Sequence, residues 1–420
     1  MRINLAYGHD NLAVDLPDNR TTIIEPLSVS GLVGERTALL DALDHPIGAS
    51  ALSRWIKPEH KICIVFTDIT RATPNARLVP WLLEYLAEVP AENITLLNAL
   101  GGHRPNTSHE LEQMLTPSVT RRFRVLNHEP ENPASLVALG TTRDGTAALL
   151  NRTFVEADVR IVTGFIEPHF FAGFSGGPKG IMPGVAGLKT IMSNHGAKNI
   201  NAPNSTFGIT LGNPIWEEMR DIALRAGPSF LLNVTLNERR QITGVFAGDL
   251  IEAHRAGCEF VRKSAMQKVE APFDIVVTTN SGYPLDQNLY QGVKGMSAGA
   301  RILKSGGTLI LVCECREGIP PGSSYDRILR SASNPEQMLG HIAAPEACQP
   351  EQWQAQIQGL IQGRARVLLY SSLPEEVVRA AHLTPCRDIG AKVDELLSEK
   401  GKGIRIGVLP QGPLTIPYLA

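Results

Sequence analysis

The sequence lacks several features that would assign a protein to a class at once. Its 420 residues contain only six cysteines and no Cys-x-x-Cys pair, so neither a disulfide framework nor a common cysteine-based zinc motif is indicated. No run of about 18 apolar residues occurs, as a membrane-spanning helix would require. The amino terminus has no basic start followed by an apolar core, which a secretory signal would show. We therefore expect a cytoplasmic protein that does not act at a membrane.

An excess of charge of one sign is also lacking. The chain has 40 Lys and Arg against 42 Asp and Glu, for a formal net charge of −2 at pH 7. Without a basic block, nothing indicates nucleic acid as a partner, and we expect a small-molecule ligand. The length exceeds what one hydrophobic core usually supports, which favours two domains.

What the sequence does have is a glycine-rich stretch, GFIEPHFFAGFSGGPKGIMPGVAGLKTIMSNH, from Gly164 to His195. Glycines allow close approach of the backbone to a ligand and let amide N–H groups turn towards an anion. The stretch also contains His169, Lys179 and His195. We interpret it as a ligand-binding segment, although a surface loop with a solvated lysine would show the same glycine pattern.

Short β-branched and apolar runs predict buried parallel strands at residues 61–71, 94–103, 123–130 and 159–169. Helical patterns separate the first three strands, and a hairpin is predicted within residues 131–158. Ligands bind outside the carboxyl ends of parallel strands. Asp68, Arg71, His103 and His169 fall at these ends, so we predict that they share an active site, although each alone also has a purely structural explanation.

A second strand, helix and strand pattern begins at residue 271 and includes Tyr290, Gln291 and Lys294 on its predicted helix. Tyr290 and Lys294 are four residues apart and therefore share a helix face. We predict an α/β fold of two α/β domains with mainly parallel sheets, and an active site in the cleft between them. Residues 1–269 would form the cofactor-binding and catalytic domain, and residues 270–420 a domain that closes over the substrate.

The residue types alone fit more than one chemistry. A Schiff-base aldolase or lyase would use Lys179, but an amine nucleophile needs a desolvated pocket, and this lysine lies between Pro178 and Gly180. Histidine spacings typical of hydrolytic zinc sites are absent, and SGGPKG does not match the P-loop pattern. The aldolase, and a non-catalytic nucleotide or hydroxy-acid binding protein, remain open alternatives.

Four motifs together resemble the lactate racemase family: EPHFFAGFSGGPK followed by His195, DITR at 68–71, GGH at 101–103 and YPLDQNLYQGVKGM at 283–296. The resemblance covers most of the chain. It implies inversion of a 2-hydroxy acid through a nickel-pincer nucleotide, a pyridinium mononucleotide that carries nickel and is made by separate cofactor-building enzymes.

The resemblance also implies roles for individual residues. Lys179 would be joined to the cofactor through a thioamide, and His195 would bind the nickel together with two cofactor sulfurs and a ring carbon. His103 and His169 would be the catalytic acid and base. Further cofactor contacts would come from Asp68, Ile69, Thr70, Arg71, Ser175, Gly176 and Gly177, and substrate contacts from Arg71, Tyr290, Gln291, Lys294 and Trp353.

This mechanism would suit the residue types. Removing hydride from a 2-hydroxy acid gives a stable 2-keto acid, and the cofactor carries that step, while two histidines on opposite sides would handle the hydroxyl proton. Family members commonly have a basic residue before the lysine and a serine after it, where this chain has Pro178 and Gly180. The resemblance therefore implies the reaction and leaves the particular 2-hydroxy acid, and the oligomeric state, undetermined.

Overall fold

A computed structural model describes residues 1–320, 322–344, 349–401 and 403–419. The strands are β1 (Arg2–Tyr7), β2 (Asp10–Asp15), β3 (Thr21–Ile23), β4 (Ile62–Thr67), β5 (Ile94–Ala99), β6 (Arg124–Asn127), β7 (Leu136–Thr141), β8 (Ala147–Asn151), β9 (Val159–Phe165), β10 (Pro168–His169), β11 (Gly173–Phe174), β12 (Phe230–Leu236), β13 (Ile242–Asp249), β14 (Met266–Val269), β15 (Phe273–Thr279), β16 (Leu303–Val312), β17 (Arg366–Tyr370), β18 (Thr384–Cys386), β19 (Ile406–Leu409) and β20 (Ile416–Leu419).

The helices are α1 (Glu35–Asp44), α2 (Asn75–Tyr85), α3 (Ser108–Leu115), α4 (Pro117–Arg122), α5 (Arg152–Val155), α6 (Leu188–Asn194), α7 (Ala197–Ile200), α8 (Pro214–Arg225), α9 (Glu252–Ala265), α10 (Leu289–Ala300), α11 (Ser324–Arg330), α12 (Pro335–Ala343), α13 (Gln352–Gln362), α14 (Glu375–Ala380) and α15 (Ile389–Lys400).

The first large sheet has the strand order β13-β12-β9-β4-β5-β6, in which only β13 runs antiparallel to its neighbour. Alternate residues of β4 point to opposite faces. Ile62, Ile64 and Phe66 pack towards helices α1 to α4, whereas Cys63 and Val65 pack towards α8 and α9. The predicted parallel strands and the predicted hairpin, formed by β7 and β8, are confirmed.

The second large sheet is entirely parallel, with the order β18-β17-β16-β15-β19-β3. Its edge strand β3 comes from the amino terminus and pairs with β19. The hairpin of β1 and β2 packs on the same sheet, where Ile3 and Leu5 share a core with Ile275 and Val277. The α/β class with mainly parallel sheets is confirmed.

The predicted domain division at residues 269 and 270 needs a correction at the start of the chain. Residues 2–23 associate with the second large sheet, because β3 is its edge strand and the separate β1–β2 hairpin buries its apolar face against it. The chain also crosses back at its end, since β20 pairs in parallel with β14. For the rest of the chain the division stays a prediction.

The cysteines are unpaired where the structure describes them. Cys63, Cys258, Cys313, Cys315 and Cys386 are buried and free, and Cys348 lies outside the described residues. Cys313 and Cys315 follow the end of β16 at Val312, and Cys315 has φ 54°. Their Sγ atoms are 3.4 Å apart. No helix in the described ranges has the length and apolarity to cross a membrane.

We expect the amino-terminal hairpin to contribute to the stability of the second sheet. Replacing the fully buried Leu5 with alanine should lower the free energy of unfolding by about 2–5 kcal/mol, because it leaves a cavity in a closed core. Leu12 lies opposite Leu5 in the hairpin and is only partly buried, so Leu12→Ala is the matched control and should cost less. Urea unfolding would measure both, and equal losses would contradict this assignment of the hairpin.

Candidate active site

A large cavity lies between the two sheets, where the carboxyl ends of β4, β5 and β9 face helices α10 and α13. Its empty volume is about 1210 Å³, which includes space open to solvent. The cavity is open to solvent and lies at the carboxyl ends of parallel strands, which is where ligands bind in open α/β sheets.

Most of the predicted site residues line this cavity. They are Asp68, Arg71, His103, His169, Ser175, Gly176, Gly177, Lys179, His195, Tyr290, Gln291, Lys294 and Trp353. Ile69 and Thr70 are not among the described residues that line the cavity. Thr70 instead supports the site, because its backbone N–H donates to Oδ1 of Asp68 at 2.7 Å.

Asp68 and His103 form a pair that links the ends of β4 and β5. Nδ1 of His103 is 3.1 Å from Oδ2 of Asp68. Burial opposes the charge of this carboxylate, but the neighbouring His103 and Arg71 outweigh burial and hold the pKa of Asp68 well below its usual range. A carboxylate that accepts from Nδ1–H leaves Nε2 of the ring free to accept a proton.

The glycine-rich turn is held in place by side chains from two neighbouring elements. Oδ1 of Asn233 accepts from the backbone N–H of Gly177 at 2.8 Å, and Nε2 of His254 is 2.9 Å from the carbonyl oxygen of Ser175. Gly177 has φ 56°, and a Cβ there would lie 2.3 Å from Cγ of His254. Only glycine fits this position without moving the histidine.

Lys179 follows directly, in a short 3₁₀ turn over Gly177–Gly180. It lies deep in the cleft, with part of its side chain facing the cavity. Burial, together with the charges of Arg71 and Lys294, lowers the pKa of Lys179 to about 7. The desolvation that amine chemistry requires is therefore present, although the neighbours Pro178 and Gly180 did not indicate it, and the neutral form of the amine is favoured relative to an exposed lysine.

His169 lies on β10, with its ring almost fully buried between Phe170 and Phe171. Burial, followed by the charges of Lys179 and Lys294, holds the pKa of His169 well below 6.5. Its Nδ1 accepts a hydrogen bond from the backbone N–H of Ala172 at 3.2 Å. The neutral ring therefore carries its proton on Nε2.

His195 follows the last residue of α6 as its C-cap, and one nitrogen of its ring is left without a hydrogen-bond partner. Nδ1 is buried and has no hydrogen-bond partner. The ring makes edge contacts with Phe171 and with Trp353 from the second sheet's side, at centroid distances of 5.1 and 4.9 Å. Burial lowers the pKa of His195 to about 3, so the ring is neutral, the form that binds metals.

A metal at His195 would need further ligands from a cofactor or from solvent, since one imidazole supplies one ligand and most transition-metal sites have at least four. In the part of the chain that the structure describes, no three or more His, Cys, Asp or Glu side chains cluster in a way that would hold a metal ion.

The second half of the chain contributes the opposite wall of the cavity. Helix α10 begins after Asn288, whose side chain accepts from the backbone N–H of Gln291. Gln291 and Lys294 are buried, and burial together with Arg71 lowers the pKa of Lys294 to about 7. Tyr290 packs nearby, and burial raises the pKa of its hydroxyl well above 10.

The sequence interpretation missed several residues that shape the site. Glu167, Asn233 and Gln354 line the cavity, and His254 supports the glycine-rich turn. Glu167 had a signal, because it stands two residues before His169 in an extended segment and alternate residues share a face. Asn233, Gln354 and His254 come from distant segments, and no local pattern marked them.

Family models and known proteins resemble this chain along nearly its whole length. Residues 7–208 match the lactate racemase N-terminal domain model, and residues 268–416 match the lactate racemase C-terminal domain model. A lactate racemase from Thermoanaerobacterium thermosaccharolyticum is 35% identical over 417 residues, which cover 98% of this chain and 97% of that protein. The lactate racemase of Lactiplantibacillus plantarum is 34% identical over 420 residues, with 96% and 98% coverage.

Solved structures show the same architecture. The lactate racemase apoprotein from Thermoanaerobacterium thermosaccharolyticum superimposes with a TM-score of 0.92 at 34% identity, over 99% of this chain and 100% of that one. A Thermotoga maritima protein superimposes with a TM-score of 0.71 at 20% identity, over 92% and 98% of the two chains. The second likeness concerns the fold alone.

The lowered lysine pKa values predict that anion binding takes up protons. A bound carboxylate should raise the pKa of Lys294 from about 7, so that binding between the free and the raised pKa adds protons to the protein, and affinity falls as pH rises through the raised value. Titration calorimetry with oxalate at about pH 7.5, in buffers of different ionisation enthalpy, measures this uptake.

Lys294→Gln is the matched variant and should bind oxalate more weakly, with less proton uptake. A binding enthalpy that is independent of buffer, or a release of protons, would contradict the prediction.

Proposed function

The chain belongs to the lactate racemase family of isomerases, and from this premise we propose that it racemises or epimerises a 2-hydroxy acid by reversible hydride transfer to a lysine-tethered nickel-pincer nucleotide. The supporting observation is the convergence in one cavity of two histidines, a desolvated lysine and a third histidine with an unpartnered buried nitrogen. Both sheets contribute to this convergence, which fits a site that closes around its substrate.

The residues present fit the cofactor that the family implies. Lys179 is the tethering residue, because its amine is partly neutral and faces the cavity. His195 is the nickel ligand, since its ring is neutral and Nδ1 is buried without a partner. Ser175, Gly176 and Gly177 provide the adjacent backbone. When bound, the nucleotide supplies a reversible acceptor for the hydride of the substrate carbon.

The roles of Pro178 and Gly180 follow from packing around the tether. A Cβ on Gly180 would lie 2.6 Å from Cγ1 of Val162, so a serine there would require the Val162 side chain to rotate or the turn to shift. Pro178 removes a basic residue that relatives commonly carry. The negative charge of the nucleotide then has to be met by other cations of the cavity, and Arg71 and Lys294 are suitably placed for this.

The chain's own residues bind the substrate and move its hydroxyl proton. Arg71 can hold the carboxylate by two parallel hydrogen bonds. Lys294 and Gln291 approach from the second sheet, together with Tyr290 and Trp353. These contacts exclude water. They also retain the keto acid in the site until the opposite face of its keto group can accept the hydride.

His103 and His169 differ in how they are prepared for proton transfer. Asp68 orients His103 through Nδ1, which leaves Nε2 free to accept a proton as a base. His169 is held neutral with the proton on Nε2. To act as the partner acid, the ring has to take up a second proton at Nδ1 in place of the contact with Ala172, and anionic cofactor and substrate groups would raise its pKa and favour that form.

The Schiff-base alternative gains some support from the structure, because Lys179 has the lowered pKa that amine catalysis requires. A non-catalytic binding protein would also use the same cations. Neither alternative explains two further histidines in the same cavity, and family membership favours the racemase.

We expect Lys179 to be the site of covalent attachment. When the protein is produced together with cofactor-building enzymes, its intact mass should include a nucleotide-sized addition that Lys179→Ala lacks. Lys189 is exposed on the next helix, so Lys189→Ala should keep the addition. A borohydride-trapped substrate adduct in place of a nucleotide would instead support the aldolase.

Loss of turnover and loss of nickel should result from substitutions at different histidines. His103→Ala and His169→Ala should each lower kcat by about 10²–10⁴-fold while nickel is retained, because they remove general acid–base catalysis. His195→Ala should lose nickel, and His109→Ala, on the exposed face of α3, should match wild type. Nickel analysis and polarimetry with a panel of 2-hydroxy acids would measure this, and full activity in either His103→Ala or His169→Ala would contradict the assigned roles.

A further inference from the structure

Glu167 occupies a position that the proposed reaction has not yet used. It lines the main cavity, and it also lines two others. One is a small cavity shared with His169 and Lys294. The other, here called the rear cavity, has an empty volume of about 970 Å³ and lies among residues 25–29, the turn between β12 and β13, and the end of α9. Among the described residues, Glu167 is the one that borders all three.

The proposed function, on which this inference rests, creates a problem of proton supply. When one enantiomer is converted to the other, one histidine gains the hydroxyl proton and the other gives a proton to the returning oxygen. Before the next conversion in the same direction, each histidine has to regain its starting state. An enzyme of this kind therefore needs a route for protons between both histidines and solvent.

The two histidines differ in their access to water. The side chain of His103 is 28% exposed and can exchange with solvent directly. His169 is only 7% exposed and is enclosed by Phe170 and Phe171. Once cofactor and substrate fill the main cavity, solvent no longer reaches His169 from that side, so His169 needs a carrier, whereas the more exposed His103 does not.

Glu167 is well placed to serve His169. The two residues are separated by Pro168 in an extended segment, so their side chains leave the backbone on the same side. Both border the main and the small cavity. Neither Glu25 nor Glu238, the other carboxyl groups of the rear cavity, reaches the main cavity.

The surroundings of Glu167 favour a carboxyl that holds and releases a proton. Burial raises the pKa of Glu167, and four cations around it, Lys294, Arg71, Arg240 and Lys179, oppose that rise. Burial prevails over the cations, so the pKa of Glu167 is raised and its neutral form is favoured more than in an exposed glutamate. Lys294 cannot replace it as the route to water, because it does not border the rear cavity.

We propose that Glu167 is the proton carrier that returns His169 to its starting state between turnovers. In one direction the carboxyl of Glu167 gives its proton to the ring of His169, directly or through one water, and the resulting carboxylate takes a proton from water in the rear cavity. The net change is one proton moved from solvent to His169. In the other direction each transfer is reversed, and no oxidant or reductant is involved.

The test compares a single turnover with steady-state turnover in the cofactor-loaded protein. Glu167→Gln keeps the size of the side chain but cannot exchange a proton. We expect kcat to fall at least about tenfold with KM changed less than about threefold, because proton return becomes rate-limiting. With enzyme in excess over either enantiomer, the first conversion should keep its wild-type rate, because it precedes the proton exchange that resets His169 for the next turnover.

Two further variants make the test specific. Glu238→Gln removes a carboxyl of the rear cavity alone and should leave both rates unchanged. Glu167→Asp should recover part of kcat, since it restores an exchangeable carboxyl. If Glu167→Gln slowed the single turnover as much as the steady state, Glu167 would have a structural role and the proposal would be wrong. Wild-type kcat in Glu167→Gln would also overturn it.

A second measurement needs neither cofactor nor activity. Infrared spectra of the ligand-free protein near neutral pH should contain the carbonyl stretch of a protonated carboxyl that is absent from Glu167→Gln. The absence of this difference would overturn the proposal, because a permanent carboxylate has no proton to deliver. If instead the loaded wild type inverted no 2-hydroxy acid, the proposed function itself would fail.

Discussion

The desolvation of positive charge between the two sheets is the constraint on which the site depends. Arg71, Lys179 and Lys294 converge on one cavity, and burial with mutual repulsion lowers the pKa values of both lysines to about 7. A cavity arranged in this way is costly when it is empty of anions. A bound phosphate or carboxylate offsets the repulsion between these cations. The site therefore has a higher affinity for anionic ligands.

The fold brings these charges together because two parallel sheets present their carboxyl-end loops to one cleft. The loops after β4, β5 and β9 supply Asp68, His103 and His169, and helix α10 supplies Lys294 from the other side. The glycine-rich turn cannot hold its shape alone, since its glycines add no packing. Asn233 and His254 fix its carbonyl and amide groups instead, which keeps Lys179 in the cavity rather than in solvent.

Much of this arrangement could be predicted from the sequence, and the rest could not, for a physical reason. Strand ends are local features, so apolar runs followed by polar residues located Asp68, His103 and His169. Pairing between distant segments leaves no such pattern. β3 joins β19 across almost the whole chain, which is why the predicted first domain wrongly included the amino-terminal hairpin. Asn233 and His254 were missed because their partners lie 56 and 79 residues away.

Pro178 and Gly180 differ from the residues that family members commonly have beside the lysine. They affect both the packing of the turn and the charge of the site. Gly180 leaves no space beside Val162 for a larger side chain, and Pro178 brings no charge. In the proposed function, the lack of cations beside Lys179 leaves more of the interaction with a bound anion to Lys294 and Arg71. Because Lys294 lies on the opposite wall of the cavity, such an anion would be contacted from both halves of the chain, which a cation on the glycine-rich turn alone would not achieve.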